Sequence, residues 1–232
     1  MVFTDPPYNV DYQGKPKKVR RAILNDKMSQ EEFFQFLLQV FDNIMGHVSG
    51  AFYVCMSSSE LHNLWAAFTE SGGHFQSYII WVKDRFVLSR SDYHNQFEPI
   101  MVGTSAPIED AYDESEAEHI LYGYTKHTWN GGRKQPNVWH FDRPKASDLH
   151  PTMKPVMLCA KAIQNSSPHN AIVLDIFLGS GSTLIACEKT GRVCYGMELD
   201  PHYCDVIVER WCEYTGRRDI ILNDKEIHWT QP

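Results

Sequence analysis

Hydrophobic and polar positions along this chain follow two periods that take turns. From residue 30 the stretch QEEFFQFLLQVFDNIMGHV sets Phe33, Phe36, Leu37, Val40, Phe41 and Ile44 at the three- and four-residue spacing of a helix with one buried face. Ser29 precedes it and Glu32 stands three residues on, so a capping box marks its start. AFYVCM at 51–56 is a short unbroken apolar run, which predicts a strand buried on both faces. A helix capped by Ser58 or Ser59 follows and closes at Gly72-Gly73. SYIIWVK (77–83) and EPIMVGT (98–104) predict two further strands. Ahead of all these, residues 1–5 read as a very short strand ending at Asp5, and 9–28 as a polar, basic loop.

Regular period is lost from 105 to 149, where acidic, aromatic, Gly and Pro residues dominate. A stretch this long without elements is uncommon in a compact domain unless it is a functional insertion or a variable surface lobe. Period then returns. PVMLCAKAIQNSS (155–167) predicts a helix with Pro in its first turn, and AIVLDIF (171–177) a buried strand. GSGSTLIACEKTG (179–191) is a glycine turn feeding a helix, and VCYGMEL (193–199) a strand. PHYCDVIVERWCEYTG (201–216) predicts a helix, and DIILN (219–223) a last strand completing the sheet on that side. Such alternation defines an α/β fold, with a mostly parallel sheet and helices on both faces. The 232 residues suit one large domain in three stretches, 1–104, an insertion at 105–149, and 150–232.

Composition adds exclusions. No apolar run approaches the ~18–20 residues of a membrane span, and no secretory leader is visible, so a cytoplasmic protein is expected. Six cysteines are scattered without a CxxC pair, and eleven histidines without HExxH or HxH, so buried reduced thiols are expected and a metal site is not. Net charge is −7, but EDAYDESEAE at 109–118 carries six acids, and the remainder is close to neutral. Bases cluster instead at KPKKVRR (15–21) and in GGRKQPNVWHFDRPK (131–145), so a nucleic-acid partner stays open.

The glycine turn is the most informative local signal. Gly179-Ser180-Gly181 follows a strand and opens a helix, where glycines let the backbone approach a ligand at the carboxyl edge of a sheet. The next strand ends at Glu198, placed to hold two ribose hydroxyls. A dinucleotide fingerprint would read GxGxxG, whereas this chain reads GSGSTL. With Phe177 as an apolar wall, an adenosine-bearing ligand without a pyrophosphate fits better than NAD.

DPPY at 5–8, HPTMKP at 150–155, DIFLGSGS at 175–182 and YGMELDP at 195–201, in this order, resemble the S-adenosylmethionine-dependent amino-methyltransferases of DNA, specifically their circularly permuted beta group. The resemblance covers nearly all of the chain outside about 105–135. It implies a Rossmann-like methyltransferase fold, circularly permuted, with a seven-stranded, mostly parallel sheet and one reversed strand. It also implies a cofactor site at Asp175, Phe177, Gly179, Ser180, Gly181 and Glu198, with Thr152, Lys154 and more weakly His150 near the cofactor carboxylate. Asp26 or Asp224 would approach the adenine ring. The family implies double-stranded DNA as partner, and leaves room for a homodimer and for a domain upstream of residue 1.

In that setting DPPY has a chemical task. An exocyclic amino group is a poor nucleophile because its lone pair is delocalised into the ring. Acceptors on its two hydrogens, the Asp5 carboxylate and the Pro6 carbonyl, can turn the lone pair toward a methyl donor, and Pro6-Pro7 fix both in place. Tyr8 offers a face on which an extruded base stacks. Asp rather than Ser at the first position resembles the adenine-N6 enzymes, with cytosine-N4 second and protein glutamine third. No Pro-Cys nucleophile of the cytosine-C5 kind is present. Lys15, Lys17, Lys18, Arg20 and Arg21 are expected to hold phosphates beside the extruded base, and Trp129, Arg133, Lys134, Trp139 and Arg143 to contact DNA from the target-recognition insertion. The competing classes are an NAD-binding oxidoreductase and a non-catalytic DNA-binding module. The missing third glycine and the intact DPPY and GSG weigh against them.

Overall fold

The computed structural model describes residues 1–12, 23–86, 92–105, 129–132, 134–144 and 153–230. Its elements are β1 (Val2–Thr4), α1 (Gln30–Met45), β2 (Ala51–Cys55), a 3₁₀ turn (Ser58–Glu60), α2 (Leu61–Glu70), β3 (His74–Val82), β4 (Phe97–Thr104), β5 (Val138–His140), α3 (Val156–Ser166), β6 (Ile172–Asp175), α4 (Ser182–Thr190), β7 (Val193–Gly196), α5 (Pro201–Thr215), β8 (Asp219–Leu222) and β9 (Lys225–His228). Seven strands form one sheet in the order β5-β3-β4-β2-β1-β6-β7. β1 runs parallel to β2 and β6, and β7 to β6, while β4 is antiparallel to both β2 and β3. The expected single reversed strand is therefore β4.

Strand alternation divides the core. On one face Phe3, Tyr53 and Cys55 pack with Leu158, Cys159, Ile163, Ala186 and Cys187 of α3 and α4. On the other, Val2, Phe52, Val54 and Met101 pack with Phe33, Leu37 and Phe41 of α1 and Leu64 and Phe68 of α2. Every residue of β2 is buried, which explains its unbroken apolar sequence. The Phe68 ring meets Phe41 edge-on at 5.2 Å. It occupies the space in which a Cβ at Gly73 or Gly103 would lie only 2.5 Å away, so both positions are restricted to glycine by packing. The capping box forms as expected: Ser29 Oγ accepts from Glu32 N, and Glu32 Oε2 accepts from Ser29 N at 2.8 Å. Ser29→Ala is expected to cost about 1 kcal/mol, measurable as a lower urea midpoint with unchanged m value.

Two elements depart from the sequence pattern. DIILN does not complete the main sheet; β8 pairs antiparallel with β9 in a separate hairpin. Asn223 and Asp224 between them both have positive φ (50° and 63°), the geometry of a two-residue turn that matches hairpin twist. A partner two residues away in the chain thus takes the strand from a more distant one. The other departure is β5, a three-residue edge strand parallel to β3 inside the supposedly irregular stretch. It was too short to show a period. Among the described residues, no helix is long and apolar enough to cross a membrane.

Candidate active site

Asp5 follows directly on β1, Glu198 on the end of β7, and the glycine turn on β6, so all three meet at the carboxyl edge of the sheet. Because β4 is reversed, its beginning lies on this same edge and brings Glu98 there. Between these elements lies a cavity of about 280 Å³, lined by Asp5, Pro6, Pro7 and Tyr8 on one side and by Phe177, Gly179 and Glu198 on the other. Ile176, Met197, Leu199 and Tyr203 add apolar wall.

The DPPY segment is held from behind by Asp26. Its buried carboxylate accepts from the backbone N–H groups of Tyr8 (2.9 Å) and Tyr12 (2.8 Å), and more loosely from Val10. Asp26 therefore lines the cavity, but its oxygens are committed to shaping the loop. On the cofactor side, Glu198 Oε2 accepts from Gly179 N at 2.8 Å and Oε1 from Asp200 N at 2.9 Å. Each carboxylate oxygen retains a lone pair, so a vicinal diol can still donate to it. Gly181 caps α4 at φ +80°, a conformation that favours glycine, with Ile207 against it. Ser180 and Gly181 do not line the cavity. Asp175 is also buried behind it, accepting from Thr4 Oγ1 (2.9 Å) and Phe177 N (3.1 Å). Burial pushes its pKa up to about 6 against those hydrogen bonds. It ties β1 to the glycine turn and is not a cavity wall.

Lys154 differs most from expectation. Only 6% of its side chain is exposed, and its Nζ stands 2.5 Å from Asp5 Oδ2 and 3.2 Å from Glu98 Oε1. The reason is electrostatic: two carboxylates on one sheet edge need a cation, and the segment before α3 delivers it. Ser182 Oγ donates to the Lys154 carbonyl at 2.9 Å and fixes that segment to the glycine turn. A second cation, Lys83, pairs with Glu98 Oε2 at 2.9 Å. The Tyr8 hydroxyl lies 2.7 Å from Asp5 Oδ1 and 2.8 Å from Glu98 Oε1. The cluster is thus two carboxylates, two ammoniums and a phenol, with the buried Cys55 thiol beside them. Burial would lower the Lys154 pKa, but Asp5 and Glu98 outweigh it and hold the group charged. Burial raises the Asp5 pKa, against Lys154. For Glu98 burial is outweighed by Lys154 and Lys83, which hold its carboxyl below the usual range. Burial and the two adjacent carboxylates push the Tyr8 phenol well up, so it stays protonated.

Of the remaining expected residues, Asp224 sits in the β8–β9 turn, away from the cavity lining. Trp139 is buried in β5 with its Nε1 on the Pro136 carbonyl and Lys161 over its ring, so it is core and not a DNA contact. Arg143 is engaged with Asp84. Trp129 and Lys134 are both exposed. Thr152, His150, Arg133 and the basic residues Lys15, Lys17, Lys18, Arg20 and Arg21 lie outside the described residues. Glu98 and Lys83 were missed. An acid heading an apolar strand was the available signal for Glu98, but it points to this edge only once the strand is known to be reversed.

A sheet of this order with a nucleoside-sized cavity and an acid on each wall defines a Rossmann-like methyltransferase fold. The family model described as DNA methylase, N6_N4_Mtase, matches residues 1–209, and the chain belongs to that family. It is 26% identical over 215 residues to the type II methyltransferase M.HpaI of Haemophilus parainfluenzae, covering 90% of this chain and 67% of that protein. It is 25% identical over 230 residues to the DNA adenine methyltransferase YhdJ of Escherichia coli (strain K12), covering 90% and 75%. Among solved structures, the M1.HpyAVI–SAM complex superposes with a TM-score of 0.64 at 20% identity, covering 90% of this chain and 87% of that one. The PvuII DNA methyltransferase (cytosine-N4-specific) gives 0.67 at 16%, covering 90% and 78%. At such identities the two structures establish a common fold.

Proposed function

We propose that this protein transfers a methyl group from S-adenosylmethionine to N6 of adenine in double-stranded DNA, acting directly on a flipped base. The observation that carries the reading is the single cavity that joins DPPY to the glycine turn and Glu198. Phe177, Gly179 and Glu198 suit an adenosine-bearing cofactor: apolar wall, close backbone and a carboxylate with free lone pairs. When bound, S-adenosylmethionine supplies an electrophilic methyl group. The chain's own part is positional. Asp5 accepts one amino hydrogen and the Pro6 carbonyl the other, turning the lone pair out of conjugation. Tyr8 stacks on the base, and the apolar wall excludes water from the line of attack.

The acid at the head of DPPY favours adenine, and the relative YhdJ, described as a DNA adenine methyltransferase, points the same way. Cytosine-N4 is the second reading, because the PvuII enzyme shares the fold and acts on that position. On this reading the basic residues at 15–21, with Arg133 and Lys134, hold phosphates. The stretches 1–104, 105–149 and 150–232 act as catalytic half, target-recognition insertion and cofactor half. Methyl-free genomic DNA incubated with the protein and labelled cofactor, then digested to nucleosides for mass spectrometry, tests it. N6-methyladenine is expected. N4-methylcytosine would replace the adenine reading, and no methylated nucleoside would overturn both.

A further inference from the structure

Methyl transfer to an amino group leaves a proton to dispose of, and the Asp5 carboxylate is already engaged by the Tyr8 hydroxyl and the Lys154 ammonium. The Tyr8 hydroxyl has one proton and two carboxylate oxygens within 2.8 Å, one from Asp5 and one from Glu98. A phenol facing two acceptor-only oxygens at such distances is the arrangement of a proton passed between them. We propose that Glu98 ends a relay that starts at Asp5 and runs through the Tyr8 hydroxyl, and that this relay carries away the amino proton of the target base. The inference rests on Asp5 receiving the base's amino group, as proposed above.

The amino lone pair forms the new N–C bond, and the methyl–sulfur bond breaks with its pair left on sulfur. The nitrogen, now cationic, returns to neutrality by giving one proton to Asp5 and keeping the N–H electron pair. Asp5 Oδ1 passes a proton to the Tyr8 oxygen as the Tyr8 proton moves to Glu98 Oε1, and the proton leaves through the 11% of the Glu98 side chain that is exposed beside Lys83. No oxidant, reductant or further reactant is needed. The charged and titratable groups facing this path are Asp5 after β1, Cys55 of β2, Lys83 after β3, Glu98 of β4 and Lys154 before α3. Lys154 contacts both carboxylates, so neither holds the proton for long; Lys83 contacts Glu98 from the side away from Tyr8. Glu98 itself acts through Tyr8 and Asp5 and is not placed against the base.

The test is single-turnover methyl transfer by wild type, Glu98→Gln, Tyr8→Phe and the double variant, across pH and in H2O and D2O. Calorimetric binding of S-adenosylmethionine and thermal unfolding are measured on each. Roughly ten- to hundredfold slower transfer is expected in each single variant, below the ~10²–10⁴ of a group that exchanges the proton directly. Cofactor affinity should be unchanged, the acidic limb of the pH profile altered, and the solvent isotope effect reduced. The double variant should be no slower than the slower single one, because both interrupt one path. Glu98→Asp should recover part of the rate. Glu98→Gln within twofold of wild type with an unaltered pH profile would overturn the relay, as would fully multiplicative losses in the double variant. If Glu98→Gln does not fold, Tyr8→Phe alone decides: an unchanged isotope effect sinks the proposal. A wild type that methylates no DNA amino group would instead remove the underlying function, a separate result.

Discussion

Asp5→Ala is expected to abolish methyl transfer while leaving S-adenosylmethionine binding within about threefold of wild type, a difference of under ~0.7 kcal/mol. The carboxylate sits at the end of β1 on the DPPY wall, opposite the Gly179–Glu198 wall of the same cavity. On the proposed function, removing it takes away the acceptor that orients the amino lone pair, an interaction made most strongly as the nitrogen becomes cationic. Losses of roughly 10³-fold or more in the chemical step fit the combined size of preorganised electrostatic and acid–base effects. Asp5→Asn is the sharper variant: it keeps the shape and removes the charge. Single-turnover transfer set beside calorimetry decides the matter. Equal losses in both would mean that Asp5 serves the cofactor and not the base.

Lys154→Met has the largest expected effect on stability. The substitution keeps an unbranched side chain but strips the cation from between Asp5 and Glu98, leaving Lys83 alone against two carboxylates in a mostly buried cluster. Breaking a buried pair from one side costs about 3–5 kcal/mol, because the remaining charge is stranded. The sign of its pH dependence follows. Without Lys154, the folded-state pKa of Asp5, already raised by burial, rises further, and that of Glu98 loses the largest of the charges that hold it down. The folded chain then binds more protons than the unfolded one between the unfolded and folded pKa values, and stability falls as pH rises through them. Denaturant titrations should find the variant closest to wild type near pH 4–5 and furthest from it above pH 7, at roughly the carboxylate range. A deficit independent of pH would mean that the lysine acts by packing its stem and not by charge. Lys154→Arg is not a neutral control, since a planar fork cannot occupy the position of a compact ammonium between two oxygens.

Much of this molecule was readable in the chain. The capped helix at Ser29, the apolar run of β2, the glycine turn and the strand leading to Glu198 all came from periodicity and turn chemistry. Those features depend on neighbours in sequence or on burial alone. What escaped reading depends on pairing at a distance. Whether DIILN joins the sheet or folds onto β9 is decided by Asn223 and Asp224 adopting left-handed conformations, which no period announces. The direction of β4 decides whether Glu98 meets Asp5 or lies at the opposite edge, and direction leaves no mark on an apolar run. Lys154 read naturally as a partner for a ligand's carboxylate. It does line the cavity, and there it also pairs with the chain's own acids, one of them 149 residues away. Charge balance in a site can be solved only after the site's members are known.

β1 lies between β2 and β6, and Thr4 is bonded to Asp175, 171 residues further along. On the ribosome the strand that carries Asp5 therefore emerges long before one of its two neighbours exists. Until then its inner edge is an unpaired row of amides and carbonyls in the middle of a future sheet. Pairings of such long range are slow to form and hazardous while they wait. The chain has to hold its chemical strand half-dressed while some 171 further residues are made, and methylating competence arrives only when the glycine-turn strand docks.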